Sequence, residues 1–276
     1  MIIIQLSASK IEAQEDQKFF FGVNVGAKFA NKNYALRYQG YYPNTGLTGN
    51  LENVLYQQNN YDRIYNILGE KNFQLPYDTY PTNIRCTPGI ITGVCLGYKL
   101  GPSLQFSVDA NFSRLKIRDF FTIEVLDASN TTSQEQYRVG NLYGEESRFN
   151  GRFNMDYVVK GESVNLIGGL SGIFHAWRIE EHLAIFEEYI MPLHSKFQNA
   201  AQQSTVKIAG SGFGFGVNLG VEYDLNEKIV LQLMYQPYVQ RADYFNTKST
   251  IANLGGAYIK DRYRLEHDLI LRIMWK

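Results

Sequence analysis

Residues 263–275 read YRLEHDLILRIMW, and their alternation decides the fold. Tyr263, Leu265, His267, Leu269, Leu271, Ile273 and Trp275 fall on one face of an extended chain. Arg264, Glu266, Asp268, Ile270, Arg272 and Met274 fall on the other. Successive strand residues point to opposite sides. A strand with one greasy and one charged face suits a wall between lipid and a polar interior.

Seven further segments alternate in the same way, at about 18–29, 89–100, 104–118, 147–160, 163–177, 206–223 and 228–243. The short links carry turn residues: Leu100-Gly101-Pro102-Ser103, Lys160-Gly161-Glu162-Ser163 and Asp224-Leu225-Asn226-Glu227. The other links are long, at about 30–88, 119–146, 179–205 and 244–257. In an up-and-down ring, all short turns fall at one end and all long loops at the other, as in outer-membrane barrels. The expected fold is therefore all-β: an eight-stranded antiparallel up-and-down transmembrane β-barrel with long extracellular loops. In the third segment the phase flips, with Arg114, Lys116 and Arg118 where apolar residues are due. A β-bulge, or emergence of the strand from the membrane, accounts for this.

Aromatic placement gives a second check. Tyr98, Tyr157, Tyr223 and Trp275 stand near the short-turn ends. Phe29, Phe112, Phe149, Phe174, Phe213, Tyr244 and Tyr263 stand near the long-loop ends. Two such rings read as membrane girdles. The chain has 276 residues, Tyr 20 and Phe 17, a net charge of +0 and a mean hydropathy of −0.27. No basic excess points to nucleic acid. No apolar run approaches the roughly 20 residues of a membrane-spanning helix. The alternative is a soluble lipocalin-like barrel with its aromatic face around a hydrophobic ligand. Loop segregation, an overfilled interior and the bare glycine row 212, 214, 216 count against it.

Residues 1–14 (MIIIQLSASKIEAQ) resemble a signal-peptide remnant lacking its basic region, with cleavage expected at Ala13-Gln14. Residues 15–276 then form one domain. Cys86 and Cys95 are expected to be free thiols, since extended chain holds them roughly 30 Å apart.

The inward faces assemble a polar lumen from Lys28, Asp109, Arg148, Arg152, Asp156, Lys160, Glu222, Arg264, Glu266, Asp268 and Arg272. Buried charges need partners, so these are expected to form a salt-bridged plug. A narrow gated pore for ions or small solutes is the alternative. In the first loop, Leu51, Val54, Leu55, Tyr61, Tyr65 and Leu68 predict an amphipathic helix over about 50–69 that caps the barrel or docks a partner. In the third, Glu180, Glu181, His182, Glu187 and Glu188 suggest an acidic helix ended by Pro192. Without ligand spacing, that run reads as a solvated face rather than a metal site. His175, His182 and His194, with Ser171 and Ser195, are the residues a rim enzyme would use; no motif joins them. No catalytic residue, metal or cofactor is expected.

Eight strands, a signal-like start and many Tyr and Asn residues resemble the PorT-like and OmpX-like outer-membrane β-barrel proteins of Bacteroidota. The resemblance covers about residues 15–276 and rests on architecture and composition. Such barrels commonly end on an aromatic; here Trp275 is penultimate and Lys276 last. The resemblance implies a monomer in outer-membrane lipid and, through PorT itself, a link to secretion. The expected role is non-enzymatic binding or assembly through the loops, with other envelope or secretion proteins as partners.

Overall fold

A computed structural model describes residues 19–35, 38, 40, 51–81, 84–126, 136–193, 209–241, 243–245 and 263–275. Residues 1–14, His194, Ser195 and most of the fourth long link lie outside these. In chain order the elements are β1 (Phe19–Phe29), α1 (Lys32–Ala35), α2 (Leu51–Leu55), α3 (Gln58–Ile67), β2 (Phe73–Gln74), β3 (Arg85–Cys86), β4 (Gly89–Leu100), β5 (Leu104–Val125), β6 (Tyr137–Val159), β7 (Asn165–Phe186), β8 (Tyr189–Pro192), β9 (Ala209–Asp224), β10 (Ile229–Gln240), β11 (Asp243–Phe245) and β12 (Arg264–Trp275).

The long strands pair antiparallel in the order β9-β10-β12-β1-β4-β5-β6-β7, and β7 pairs with β9 to close the ring. Eight strands therefore leave no free edge within it. The hairpin turns follow their residues. Gly101 has φ +75°, a region costly for side-chain-bearing residues. Asn226 Oδ1 accepts the backbone N–H groups of Lys228 and Ile229, each at 2.9 Å.

β5, β6 and β7 have 22, 23 and 22 residues, against 11 for β1 and 12 each for β4, β10 and β12. One sector of the wall thus rises about ten residues above the rest, at about 3.3 Å per residue along the strand. This corrects two expectations. Much of the second long link is strand, and the acidic helix of the third link is absent. There β7 continues to Phe186 and turns back as β8. The reason is a renewed alternation. After a bulge at Glu180, His182, Ala184 and Phe186 resume the buried face. Glu187, at φ 52°, then makes the tight reversal.

The flip in β5 is not a bulge. Pairing with β6 runs unbroken from Leu104↔Tyr157 to Glu124↔Tyr137. Accessibility also keeps its period of two, with Arg114, Lys116 and Arg118 exposed and Leu115 and Ile117 buried. The chemistry of the two faces exchanges while the geometry continues. Below Ser113 the exposed face is apolar (Phe106, Val108, Phe112) and the buried face polar (Ser107, Asp109, Asn111). Above it the buried face is apolar, with Phe121, Ile123 and Val125.

The first long link packs against that apolar inner face. Leu51, Val54, Leu55, Ile64 and Leu68 join Phe121, Ile123, Leu142, Ala184, Phe186 and Met191 in one core. The single helix expected over 50–69 is two helices. Gln57 is extended at φ −59°, ψ 133°, and the Asn60 side-chain amide donates to the Val54 carbonyl at 2.7 Å, ending α2. β2 and β3 then add to β5 where β4 has left it.

Candidate functional site: the crossed lumen and the capped mouth

Alternation aims one side chain in two at the interior, so five of the strands supply charged rungs of a buried network. Lys28 comes from β1, Asp109 from β5, and Arg148, Arg152 and Asp156 from β6. Glu222 comes from β9 and Glu266, Asp268 and Arg272 from β12. All are at most 4% exposed. Arg264 is half-buried at the upper end, with its guanidinium 4.5 Å from the Tyr34 ring centroid. Lys160 is exposed in its turn.

Three arginine–carboxylate bridges join strands that are not neighbours in the ring. Arg272 Nη2 lies 2.8 and 2.7 Å from the two oxygens of Asp109. Arg152 pairs with Asp268, and Arg148 Nη1 donates to Glu266 at 2.6 Å. These pairs reach from β12 to β5 and β6, with β1 and β4 intervening, so they cross the bore. Lys28 adds a bridge to Asp268 at 3.2 Å.

Neutral groups add further hydrogen bonds. Arg272 also donates to Asn24 Oδ1 at 3.0 Å and Gln232 Oε1 at 3.2 Å. Asn154 donates to Asp109 at 2.9 Å. Asn218 donates to Asp156 at 2.7 Å, and Gln232 to Glu222 at 2.7 Å. Tyr238 donates to Glu266 at 2.7 Å and lies beneath Arg152, 4.5 Å from its centroid. Partners of this kind are what allow ions to persist away from water.

The sequence reading did not single out Tyr238 or Glu146 for this network. Counting by twos along β10 from Gln232 reaches Tyr238 on the same inward face. Glu146 sits two residues before Arg148, its partner here. It falls in residues 119–146, which the sequence pattern reads as a loop.

Apolar layers lie at both ends. Phe20, Cys95, Val230 and Met274 cluster at the short-turn end, with the Phe20 ring against Gly97. At the other end Tyr34, Ala35, Tyr38, Ile84, Ile117, Trp177 and Ile179 form the cap. The Tyr38 ring lies on Gly144 so closely that a Cβ there would meet it at 2.3 Å. Arg148 approaches Tyr34 at 4.4 Å from the centroid, a cation–π contact joining cap to lumen.

The histidines are not gathered into one site. His175 and His182 are buried seven residues apart on β7. His182 Nε2 is 3.0 Å from the Tyr38 carbonyl, and its ring meets Tyr38 edge-on at 5.0 Å. Glu187, which the sequence placed on a helix with His182, pairs instead with Arg138. Among the described residues no group of three or more His, Cys, Asp or Glu is arranged to hold a metal ion.

The outer surface carries the complementary pattern. Phe153 is 65% exposed and Leu96 61%, and Val94, Phe106, Val108 and Phe112 beside them are exposed too, so the lower wall carries a continuous apolar band. Tyr157, Tyr223 and Trp275 are exposed and Tyr98 half-buried at the short-turn end; Phe19 meets Tyr98 at 4.9 Å and Phe21 meets Trp275 at 6.0 Å. At the other end Phe112 meets Phe149 at 5.0 Å and Phe174 meets Phe213 at 5.5 Å.

No protein-family model and no curated protein matches the sequence. Among solved structures, Neisserial surface protein A is similar at 10% identity and TM-score 0.43, over 94% of this chain and 96% of that one. The outer membrane protein OprG from Pseudomonas aeruginosa is similar at 10% identity and TM-score 0.40, over 94% and 93%. At this level of likeness the reading of the molecule rests on its own residues.

Proposed function

We propose that this protein is an integral outer-membrane β-barrel of the small, PorT-like or OmpX-like kind. On this reading it acts in binding or assembly through its extracellular part and is not a pore or an enzyme. The observation that carries the reading is the exchange of faces at one height. Below Ser113 the ring exposes a band of Phe, Leu, Val and Tyr, for which lipid is the compatible solvent. Above, β5 hides Phe121, Ile123 and Val125 and turns Arg114, Lys116 and Arg118 outward, an arrangement suited to water. The upper part is a packed extension with its own core, a surface suited to partners.

The crossed bore argues against conduction, since an ion would have to displace buried arginine–carboxylate pairs. In planar bilayers the purified protein is expected to give no steady conductance; regular open steps would favour the narrow-pore reading. On gels, isolated outer membranes are expected to show a band that shifts on boiling. A photo-crosslinker placed at Tyr77, 77% exposed in the first long link, is expected to trap a discrete protein partner in cells. Crosslinks to lipid alone would count against a binding role.

A further inference from the structure

Directly above the apolar band, one sector of the outer wall is strongly basic. Arg114, Lys116 and Arg118 follow one another on the exposed face of β5, beginning two residues after Phe112. Arg85 of β3 pairs in register with Arg118, and both are exposed. Like charges directly opposite on one sheet face repel. Thr87 flanks Lys116, its hydroxyl donating to the Lys116 carbonyl at 3.0 Å. The carboxylate facing the four cations from β6 is Glu145. It lies 3.0 Å from Arg114 Nε and also accepts from Tyr143 at 2.9 Å. Arg118 stands over the Tyr143 ring at 5.8 Å. Beyond Glu145, Glu181 of β7 continues the row.

The sector is local. At the upper ends of β1 and β12 the outward residues are Phe29, Leu265 and Tyr263. Arrays of Lys and Arg at a membrane surface attract anionic head groups. Here Ile90 lies level with Arg114, and Phe112 and Phe149 lie just below it, offering acyl chains an apolar wall beneath Lys116 and Arg118.

We propose that this patch binds the phosphates of phosphorylated glycolipids in the leaflet surrounding the long-loop end. Arg85, Lys116 and Arg118 contact the head group, and Ile90 and Phe112 the chains. This rests on the membrane reading above. The barrel, held in a neutral detergent, is titrated with diphosphoryl lipid A, with its dephosphorylated form and with inorganic phosphate, and bound lipid is counted by native mass spectrometry. The phosphorylated form is expected to bind at least about tenfold more tightly than the dephosphorylated one. The triple variant Arg85→Gln, Lys116→Gln, Arg118→Gln is expected to lose that preference, as Lys116→Glu alone does in part. Lys160→Gln with Lys228→Gln, at the opposite end, is expected to keep it.

Equal binding of the two lipid forms, or an unchanged preference in the triple variant, overturns the proposal. Inorganic phosphate displacing the lipid at equal concentration overturns it in favour of a free-anion site. The shift on boiling is read on every variant: with it intact, a failed titration removes the lipid site alone. Without a shift in the wild type, the membrane reading and the site fall together.

Discussion

β5 passes through two parts of the molecule that solve opposite problems with one geometry. In its first ten residues, Asp109 and Asn111 face in while Val108 and Phe112 face out. In its upper half, Phe121 and Ile123 face in while Lys116 and Arg118 face out. The backbone registers do not change at the boundary. The difference teaches that burial in this chain follows the surrounding medium. On the membrane reading proposed above, lipid lies outside the lower part, and the inside there is polar and bridged by ion pairs. Where water lies outside, the inside collapses as an ordinary core.

The sharpest break in this comparison is in the lower interior. Arg272→Ala leaves Asp109 buried without its cation and is expected to cost about 3–5 kcal/mol, read by urea unfolding in lipid vesicles. Arg272→Met with Asp109→Leu is expected to recover most of that loss, because it removes both ions together. If the single substitution is neutral, the bridges do not hold the bore.

In the upper interior the matching change is Phe121→Ala. It opens a cavity in the core shared with the first long link and is expected to cost about 3–5 kcal/mol locally. Hydrogen exchange over 51–67 is expected to quicken while the band on unboiled gels stays put. Loss of the folded band would mean the two regions are one cooperative unit.

The exteriors give the next contrast. Val108→Arg, in the middle of the apolar band, is expected to destabilise the inserted barrel by about 2–4 kcal/mol. Val139→Arg, 58% exposed on the extension, is expected to change stability by no more than about 0.5 kcal/mol. Equal effects would erase the distinction between the media. Smallest of all, Glu187→Ala removes the partly exposed pair with Arg138 and is expected to cost roughly 0.2–1 kcal/mol, lost in high salt.

The period of two made the ring legible in the sequence, and parity reached the buried charges from Lys28 to Arg272. Parity says nothing about which rungs meet across the bore; Arg272 and Asp109 lie 163 residues apart. The upper extension was hidden for a different reason. An apolar-out pattern marks a strand only where its outward face is apolar, so residues 119–146 and 179–192, where the polarity inverts, read as loops. Glu180, Glu181, Glu187 and Glu188 then suggested a helix through charge alone, although Ile179, Ala184 and Phe186 already marked a buried face. Cap contacts such as Tyr38 on Gly144 depend on tertiary approach and leave no periodic trace.

The most direct test follows spin labels along the outward face of β5 in lipid bilayers. Cysteines replace Phe106, Val108, Ala110, Phe112, Arg114, Lys116 and Arg118 one at a time, in a Cys86→Ser, Cys95→Ala background. Collision with oxygen is compared with collision with a water-soluble nickel chelate. Oxygen-dominated collision is expected up to residue 112, with a step to chelate-dominated collision from residue 114. Chelate access uniform along the strand would contradict the membrane reading and place the apolar band in water.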